Sequence, residues 1–171
     1  MTVFSLEGKT ALVTGASQGI GEAIARRLAL QGARLVLAAR TADKLEAMAA
    51  EIGDGGGEAL AWPLDLSRTG DIGDRLKELP EPFSTVDILV NNAGITADNI
   101  FIRRGQEEWD RVLNTNLSGA FAVTRALARG MMRRRWGRII SVSSVVGMMG
   151  NAGQANYAAA KAGLIGLSKS L

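Results

Sequence analysis

The chain contains no cysteine and no histidine. Without cysteine there is no disulfide framework, no thiolate nucleophile and no zinc–thiolate site. Without histidine there is no imidazole base and no Ser-His-Asp triad, and no resident metal is expected. Proton transfer near neutral pH therefore falls to tyrosine, lysine, a carboxyl group or water. Tyrosine itself occurs once in 171 residues. Long apolar runs are missing as well: none approaches the ~18 residues that a membrane-spanning helix needs. The first residues, Met1 to Lys9, lack the basic-then-apolar pattern of a secretory leader, so a cytoplasmic protein without a membrane partner is expected. Charge of one sign is not in large excess either. Twenty Lys+Arg against seventeen Asp+Glu leave a net charge of +3, too little to indicate a nucleic-acid partner.

What the chain does have is glycine, 21 residues, well above the usual ~7%. A hydrophobic share of 47% and a charged share of 22% are those of a globular chain, and the length predicts one domain over residues 1–171. Short, uniformly apolar runs alternate with longer runs at helical spacing. The pattern predicts strands over 10–14, 34–39, 59–64, 86–90 and 138–142. It predicts helices over 20–31, 41–52, 71–79 and 107–132, and one from 155 to the end, with Thr41 as an N-cap and Gly53–Gly57 as a loop. Gly119 and Gly130 are expected to interrupt the long fourth helix. Apolar strands that alternate with helices imply parallel βαβ units: a Rossmann-like α/β fold, doubly wound, with helices on both faces of the sheet.

The sharpest local pattern is Thr14-Gly-Ala-Ser-Gln-Gly-Ile-Gly21, between the first strand and the first helix. Its glycines at 15, 19 and 21 differ in spacing from G-x-G-x-x-G but serve the same need. They allow positive φ in a tight turn and bring backbone N–H groups at a helix N-terminus close to a pyrophosphate. The bland alternative is a glycine-rich turn that binds nothing. The second strand ends Leu37-Ala-Ala-Arg40, with no acid to hold a ribose 2′-hydroxyl. An arginine there accommodates a 2′-phosphate, so NADP(H) is favoured over NAD unless Arg40 is an ordinary solvated charge.

Tyr157 and Lys161 are four residues apart and share one helix face. A phenol, with a pKa of ~10, is a poor base at neutral pH, and a nearby ammonium favours its ionised form. Ser144, expected to end the fifth strand, stands at the carboxyl edge of the sheet, where ligands of such folds bind. Taken one by one, these residues could equally be a helix-surface pair and a loop serine.

Together, the glycine turn, Asp65, Asn91-Asn92-Ala93-Gly94, Asn116, Ser144 and Tyr157-x-x-x-Lys161 resemble the short-chain dehydrogenase/reductase family across essentially the whole chain. Arg138–Gly147 and Gly153–Gly166 resemble most the branch that reduces 3-oxoacyl thioesters on acyl carrier protein in bacterial fatty-acid synthesis. The resemblance implies a catalytic set of Asn116, Ser144, Tyr157 and Lys161. Tyr157 would protonate the carbonyl oxygen as NADPH delivers hydride, and Lys161 would favour the ionised phenol and hold the nicotinamide ribose. Ser144 would orient the carbonyl, and Asn116 would place a water. The bland reading of Asn116 is a helix interruption bonded to nearby backbone.

The resemblance further implies that Gly15, Ser17, Gln18, Gly19, Ile20, Gly21, Arg40, Asp65, Leu66, Asn92, Ala93 and Gly94, with Tyr157 and Lys161, bind the dinucleotide. Asn91 would approach its adenosine side. The basic cluster Arg133–Arg135, with Arg129 and Arg138, would be a docking place for an acidic carrier protein, Arg135 above all, and a dimer or tetramer is expected. Family members continue through two more strands and a substrate-covering segment, while Gly166–Leu171 shows no helix stop. The chain is therefore expected to be truncated, with its C-terminal strands missing. Other members of the family acting on coenzyme A thioesters, polyols or steroids, or a truncated non-catalytic nucleotide-binding subunit, are the competing readings.

Overall fold

A computed structural model describes residues 4–171. Five strands, β1 (Thr10–Thr14), β2 (Arg34–Ala39), β3 (Ala59–Pro63), β4 (Ile88–Asn91) and β5 (Arg138–Ser141), form one parallel sheet in the order β3-β2-β1-β4-β5. The order reverses between β1 and β4, which opens a crevice at the carboxyl ends of those strands. The helices are α1 (Gly19–Ala29), α2 (Ala42–Asp54), α3 (Ile72–Lys77), α4 (Gln106–Leu113), α5 (Gly119–Arg134), α6 (Val146–Met149) and α7 (Ala155–Lys169).

Alternate residues of the same strands feed two cores. Ala11, Val13, Leu35, Leu37, Ile88 and Val90 point to one face and pack with Ala25 of α1 and Leu45, Met48 and Ile52 of α2. Leu12, Val36, Ala38 and Leu89 point to the other and pack with Ile72 and Leu76 of α3 and Val123 and Met131 of α5. Each fully buried Leu or Val contributes about 1.5–3 kcal/mol, so a strand buried on both faces is mostly apolar, with Thr10 and Thr14 at the two ends of β1 as polar exceptions. β5 departs from this rule. It is one of the two edge strands, with β3, and Ile140 is 49% exposed.

Several element ends differ from expectation. Gly53 and Asp54 complete α2 instead of starting a loop, and Gly55 follows as its C-cap. Thr41 occupies the N-cap position of α2 but makes no side-chain capping bond. The long fourth helix is not broken at Gly119 or Gly130. It runs on through a π-helical turn at Asn114–Ser118, and both glycines lie within α5. The short α6 and the 3-10 turn Phe101–Arg103 have no counterpart in the sequence pattern. Among the described residues no helix is long and apolar enough to cross a membrane, and no cluster of acidic, histidine or cysteine side chains could hold a metal ion.

Candidate active site

The crevice begins at the turn between β1 and α1. Gly15 and Gly19 hold φ of +67° and +59°, the region that favours glycine. Gly21 is needed for a different reason. A β-carbon there would run into the carbonyl oxygen of Gly15 and the amide nitrogen of Asn92. Thr14 locks the turn from below. Its buried hydroxyl donates to the carbonyl of Val90 and accepts the N–H groups of Asn92 and Ala93 at 3.0 and 3.1 Å. Asn92 Nδ2 in turn donates to the carbonyls of Thr14 and Gly15.

The resulting cavity has a volume of about 540 Å³. Gly15, Ser17, Gln18, Gly19, Ile20, Arg40, Asp65, Leu66, Asn92, Ala93 and Gly94 all line it. A β-carbon on Gly19 would meet nothing within 4 Å, so open space lies over the first turn of α1. The N–H groups of a first helical turn have no partner within the helix, which suits an anionic pyrophosphate. The residues present therefore fit a dinucleotide. Arg40 is exposed at one end of the cavity, free to meet an anionic substituent. Asp65 sits beside it. The N–H and hydroxyl of Ser67, at 2.9 and 2.8 Å, hold its carboxyl below the usual carboxylate range, helped by the charges of Arg40 and Arg68.

Several expected positions differ. Tyr157 and Lys161, expected among the dinucleotide-binding residues, do not line this cavity. Gly21 packs behind the cavity wall instead of lining it. Asn91 does not face the crevice: it is buried and donates to the Thr124 hydroxyl at 2.9 Å. Successive residues of a strand point to opposite faces, which leaves Asn92, and not Asn91, at the cavity. Ser144 lies three residues beyond the end of β5, and its Oγ accepts the N–H of Val146 at the start of α6. Thr41, Leu64, Ile95 and Thr115 also line the cavity and were missed. The first two could have been found by extending β2 two residues and β3 one residue past their carboxyl ends. Thr115 gives no such signal, because it sits in the π-helical turn.

Tyr157 and Lys161 lie one turn apart on α7, with the Lys161 Nζ 5.7 Å from the Tyr157 ring centre. Lys161 is 3% exposed, and its ammonium donates to the carbonyl of Val142 at 2.7 Å. Burial pushes that ammonium below the ordinary lysine value. A β-carbon on Gly94, which lines the cavity, would stand 3.5 Å from Asn116 Oδ1 and 3.7 Å from Lys161 Nζ. The cavity, Asn116 and Lys161 thus meet at one glycine. Asn116 is 1% exposed and bonded on both sides to Ile95, 21 residues earlier in the chain, and not to the nearby helix backbone of its bland reading.

The basic cluster lies elsewhere. Arg133 and Arg134 end α5, and Arg138 begins β5, which puts them at the amino edge of the sheet, opposite the crevice. Arg134 donates to the carbonyl of Val86 and lies 3.7 Å from Asp87, whereas Arg135 is an exposed left-handed C-cap.

A parallel sheet with a glycine turn at its switch point, together with a Tyr-x-x-x-Lys turn on α7 whose lysine approaches Gly94 of the cavity, fits a dinucleotide-dependent oxidoreductase. Residues 9–171 match the family model for short chain dehydrogenase, and the chain belongs to that family. It is 52% identical over 169 residues to nodulation protein G of a Rhizobium species, covering 99% of this chain and 68% of that one. It is also 52% identical to the 3-oxoacyl-[acyl-carrier-protein] reductase of Vibrio cholerae, over 98% of this chain and 67% of the relative. Among solved structures, a gluconate 5-dehydrogenase from Burkholderia cenocepacia in complex with NADP and tartrate superposes with a TM-score of 0.92 at 34% identity. That match covers 98% of this chain and 66% of the other. The chain thus spans about two thirds of the length of these proteins.

Proposed function

We propose that this chain carries the dinucleotide-binding and catalytic part of an NADP(H)-dependent reductase of 3-oxoacyl thioesters, with acyl carrier protein as the carrier. The observation that supports the chemistry is the meeting of cavity, Asn116 and buried Lys161 at Gly94, one helical turn from the chain's single tyrosine. Support for the substrate comes from the relatives: those named as 3-oxoacyl carrier-protein reductases are about half identical to this chain.

When bound, NADPH supplies the hydride that reduces the 3-oxo carbon. The chain supplies the proton and the geometry. The Gly15–Gly21 turn holds the pyrophosphate, Arg40 the 2′-phosphate, and Asp65 and Leu66 flank the adenine end. Ser144 donates to the carbonyl oxygen and polarises it. Tyr157 gives its phenolic proton to the same oxygen as negative charge develops there, which leaves a 3-hydroxyacyl thioester and a phenolate. The Lys161 ammonium offsets that phenolate charge across a short, poorly solvated gap. Asn116 holds the segment after β4 in place, and a proton from solvent restores the phenol.

Oxidation of NADPH in the presence of acetoacetyl thioesters tests this reading. The expected outcome is turnover that Tyr157→Phe abolishes. A second reading, a sugar-acid dehydrogenase, is favoured by the likeness to gluconate 5-dehydrogenases in fold. Turnover of 5-ketogluconate well above that of the thioester would replace the first reading with the second. Docking of the carrier on Arg129, Arg133 and Arg135 belongs to the same proposal. Neutralising them should weaken the carrier-bound substrate more than the coenzyme A thioester, and equal loss would reject that docking place.

A further inference from the structure

Arg104, just after the 3-10 turn Phe101–Arg103, uses its guanidinium in an unusual way. Among the described residues it enters no ion pair. It donates instead to three backbone carbonyls: Ala97 at 2.6 Å, Asn99 at 2.9 Å and Gly153 at 2.6 Å. Two of these belong to the segment that leaves β4, and the third to the loop that enters α7. The same two stretches are joined by the Asn99 N–H on the Gly153 carbonyl and by Gln154 Nε2 on the Asp98 carboxylate.

The Ala97 carbonyl is shared. It also accepts from Nδ2 of Asn156, a side chain with no exposed surface, which reaches the carbonyl of Glu108 in α4 as well. The Oδ1 of Asn156 accepts the N–H of Tyr157 at 2.8 Å. A continuous line of bonds therefore runs from Arg104 through Ala97 and Asn156 to the backbone of Tyr157. A planar guanidinium suits this task because its donors leave in fixed directions and can hold separate carbonyls at once.

We propose that Arg104 is a positioning residue, a clasp that binds the segment after β4 to the first turn of α7 and so fixes where Tyr157 stands relative to the crevice. The proposal rests on the reading of Tyr157 as proton donor. It adds a residue that touches neither substrate nor dinucleotide. Arg104 does not line the dinucleotide cavity, so its loss should leave dinucleotide affinity alone.

The sole tyrosine makes a test direct, because a carbon-13 label at tyrosine Cζ gives a single resonance from the purified polypeptide. In Arg104→Met, that resonance is expected to move or broaden and the Tyr157 amide to exchange faster, while NADPH affinity is unchanged. With a thioester substrate, kcat should fall by on the order of ten- to a hundredfold, the scale of a misplaced catalytic group. Arg104→Lys, which keeps the cation and some of the donors, should recover part of both signals. In a Tyr157→Phe background the Arg104→Met change should add little further loss. An unchanged Tyr157 resonance and amide exchange in a folded Arg104→Met protein would overturn the clasp. So would a full additional loss in the Tyr157→Phe background, or a loss that follows NADPH affinity. If Tyr157→Phe keeps full turnover, the proton-donor reading fails, and the resonance and exchange measurements still decide whether the clasp exists.

Discussion

Asn116 holds Ile95 by both of its backbone groups: Oδ1 accepts the Ile95 N–H at 2.8 Å, and Nδ2 donates to the Ile95 carbonyl at 2.9 Å. Ile95 lines the cavity, and Asn116 sits in the π-helical turn between α4 and α5. Such turns recur at functional sites because the extra residue per turn redirects a side chain out of the helical row. Asn116→Ala leaves two partly buried backbone groups of Ile95 without partners. The cost of each is about 1–3 kcal/mol, so a loss of about 2–6 kcal/mol in unfolding free energy is expected. Asn116→Asp, which keeps the acceptor but buries a carboxylate oxygen against the Ile95 carbonyl, should lose at least as much. Urea unfolding of the two variants against the parent measures this, and an Asn116→Ala protein as stable as the parent would refute it.

The two glycines of the turn should fail differently. At Gly21 an added methyl group collides with the carbonyl of Gly15, which is backbone and cannot swing aside. Gly21→Ala is therefore expected to cost about 1–3 kcal/mol of stability, as overpacking does, and to lose NADPH binding with it. At Gly19 the methyl group meets open space, and only the left-handed backbone resists, at about 1–2 kcal/mol. That methyl would occupy the place proposed for phosphate. Gly19→Ala should stay folded at ordinary temperature and bind NADPH more weakly. Thermal melts paired with NADPH titrations separate the two. Equal melting temperatures with equal affinities would remove the close-approach argument for Gly21.

How legible this was in the sequence depended on how local each cause is. The strands and the glycine turn were readable because burial on both faces and positive φ leave residue-type signatures within a few positions. The π-helical turn was not. Gly119 looks like a helix breaker, yet it is there because a β-carbon would stand 2.6 Å from the carbonyl of Leu66, a contact between distant parts of the chain. The exposure of Ile140 was equally hidden, since β5 reads as apolar whether or not another strand covers it. Tyr157 and Lys161 announce themselves by spacing. Asn156 and Arg104 do not, because their partners Ala97, Asn99 and Gly153 are backbone atoms that any residue would provide.

Arg40 carries the choice between the two dinucleotides. It is exposed at the cavity end, close enough to Asp65 to help hold that carboxyl ionised. Arg40→Asp exchanges a cation that would meet a 2′-phosphate for an anion that would repel it and could accept a ribose hydroxyl. The preference for NADPH over NADH should reverse, with NADPH affinity falling at least tenfold, about 1.4 kcal/mol. High salt should narrow the NADPH preference of the parent, because the contact is exposed and screened. Fluorescence titration of both reduced dinucleotides provides the measurement. Similar affinities for the two in the parent protein would count against the assignment.

Lys161 gives the site a distinctive response to pH. Burial holds its ammonium below the ordinary lysine value of 10.5, so the folded chain gives up this proton at lower pH than the unfolded chain does. Between the folded value and 10.5 the unfolded state binds more protons, and the free energy of unfolding rises with pH. Below the folded value the cost of a buried charge is present in full and constant; above 10.5 it is gone. Lys161→Met removes the group from both states and adds a pH-independent cost, the unpartnered carbonyl of Val142. The stability of the parent minus that of Lys161→Met is therefore expected to be flat at neutral pH and to climb through the alkaline range toward 10.5. Turnover of a thioester should be lost in the variant at every pH, since no ammonium is left to offset the phenolate. Urea titrations of both proteins at a series of alkaline pH values read the difference directly and cancel alkaline effects common to the two chains. A difference that stays level, or falls, would mean that Lys161 is as well solvated in the folded chain as in the unfolded one.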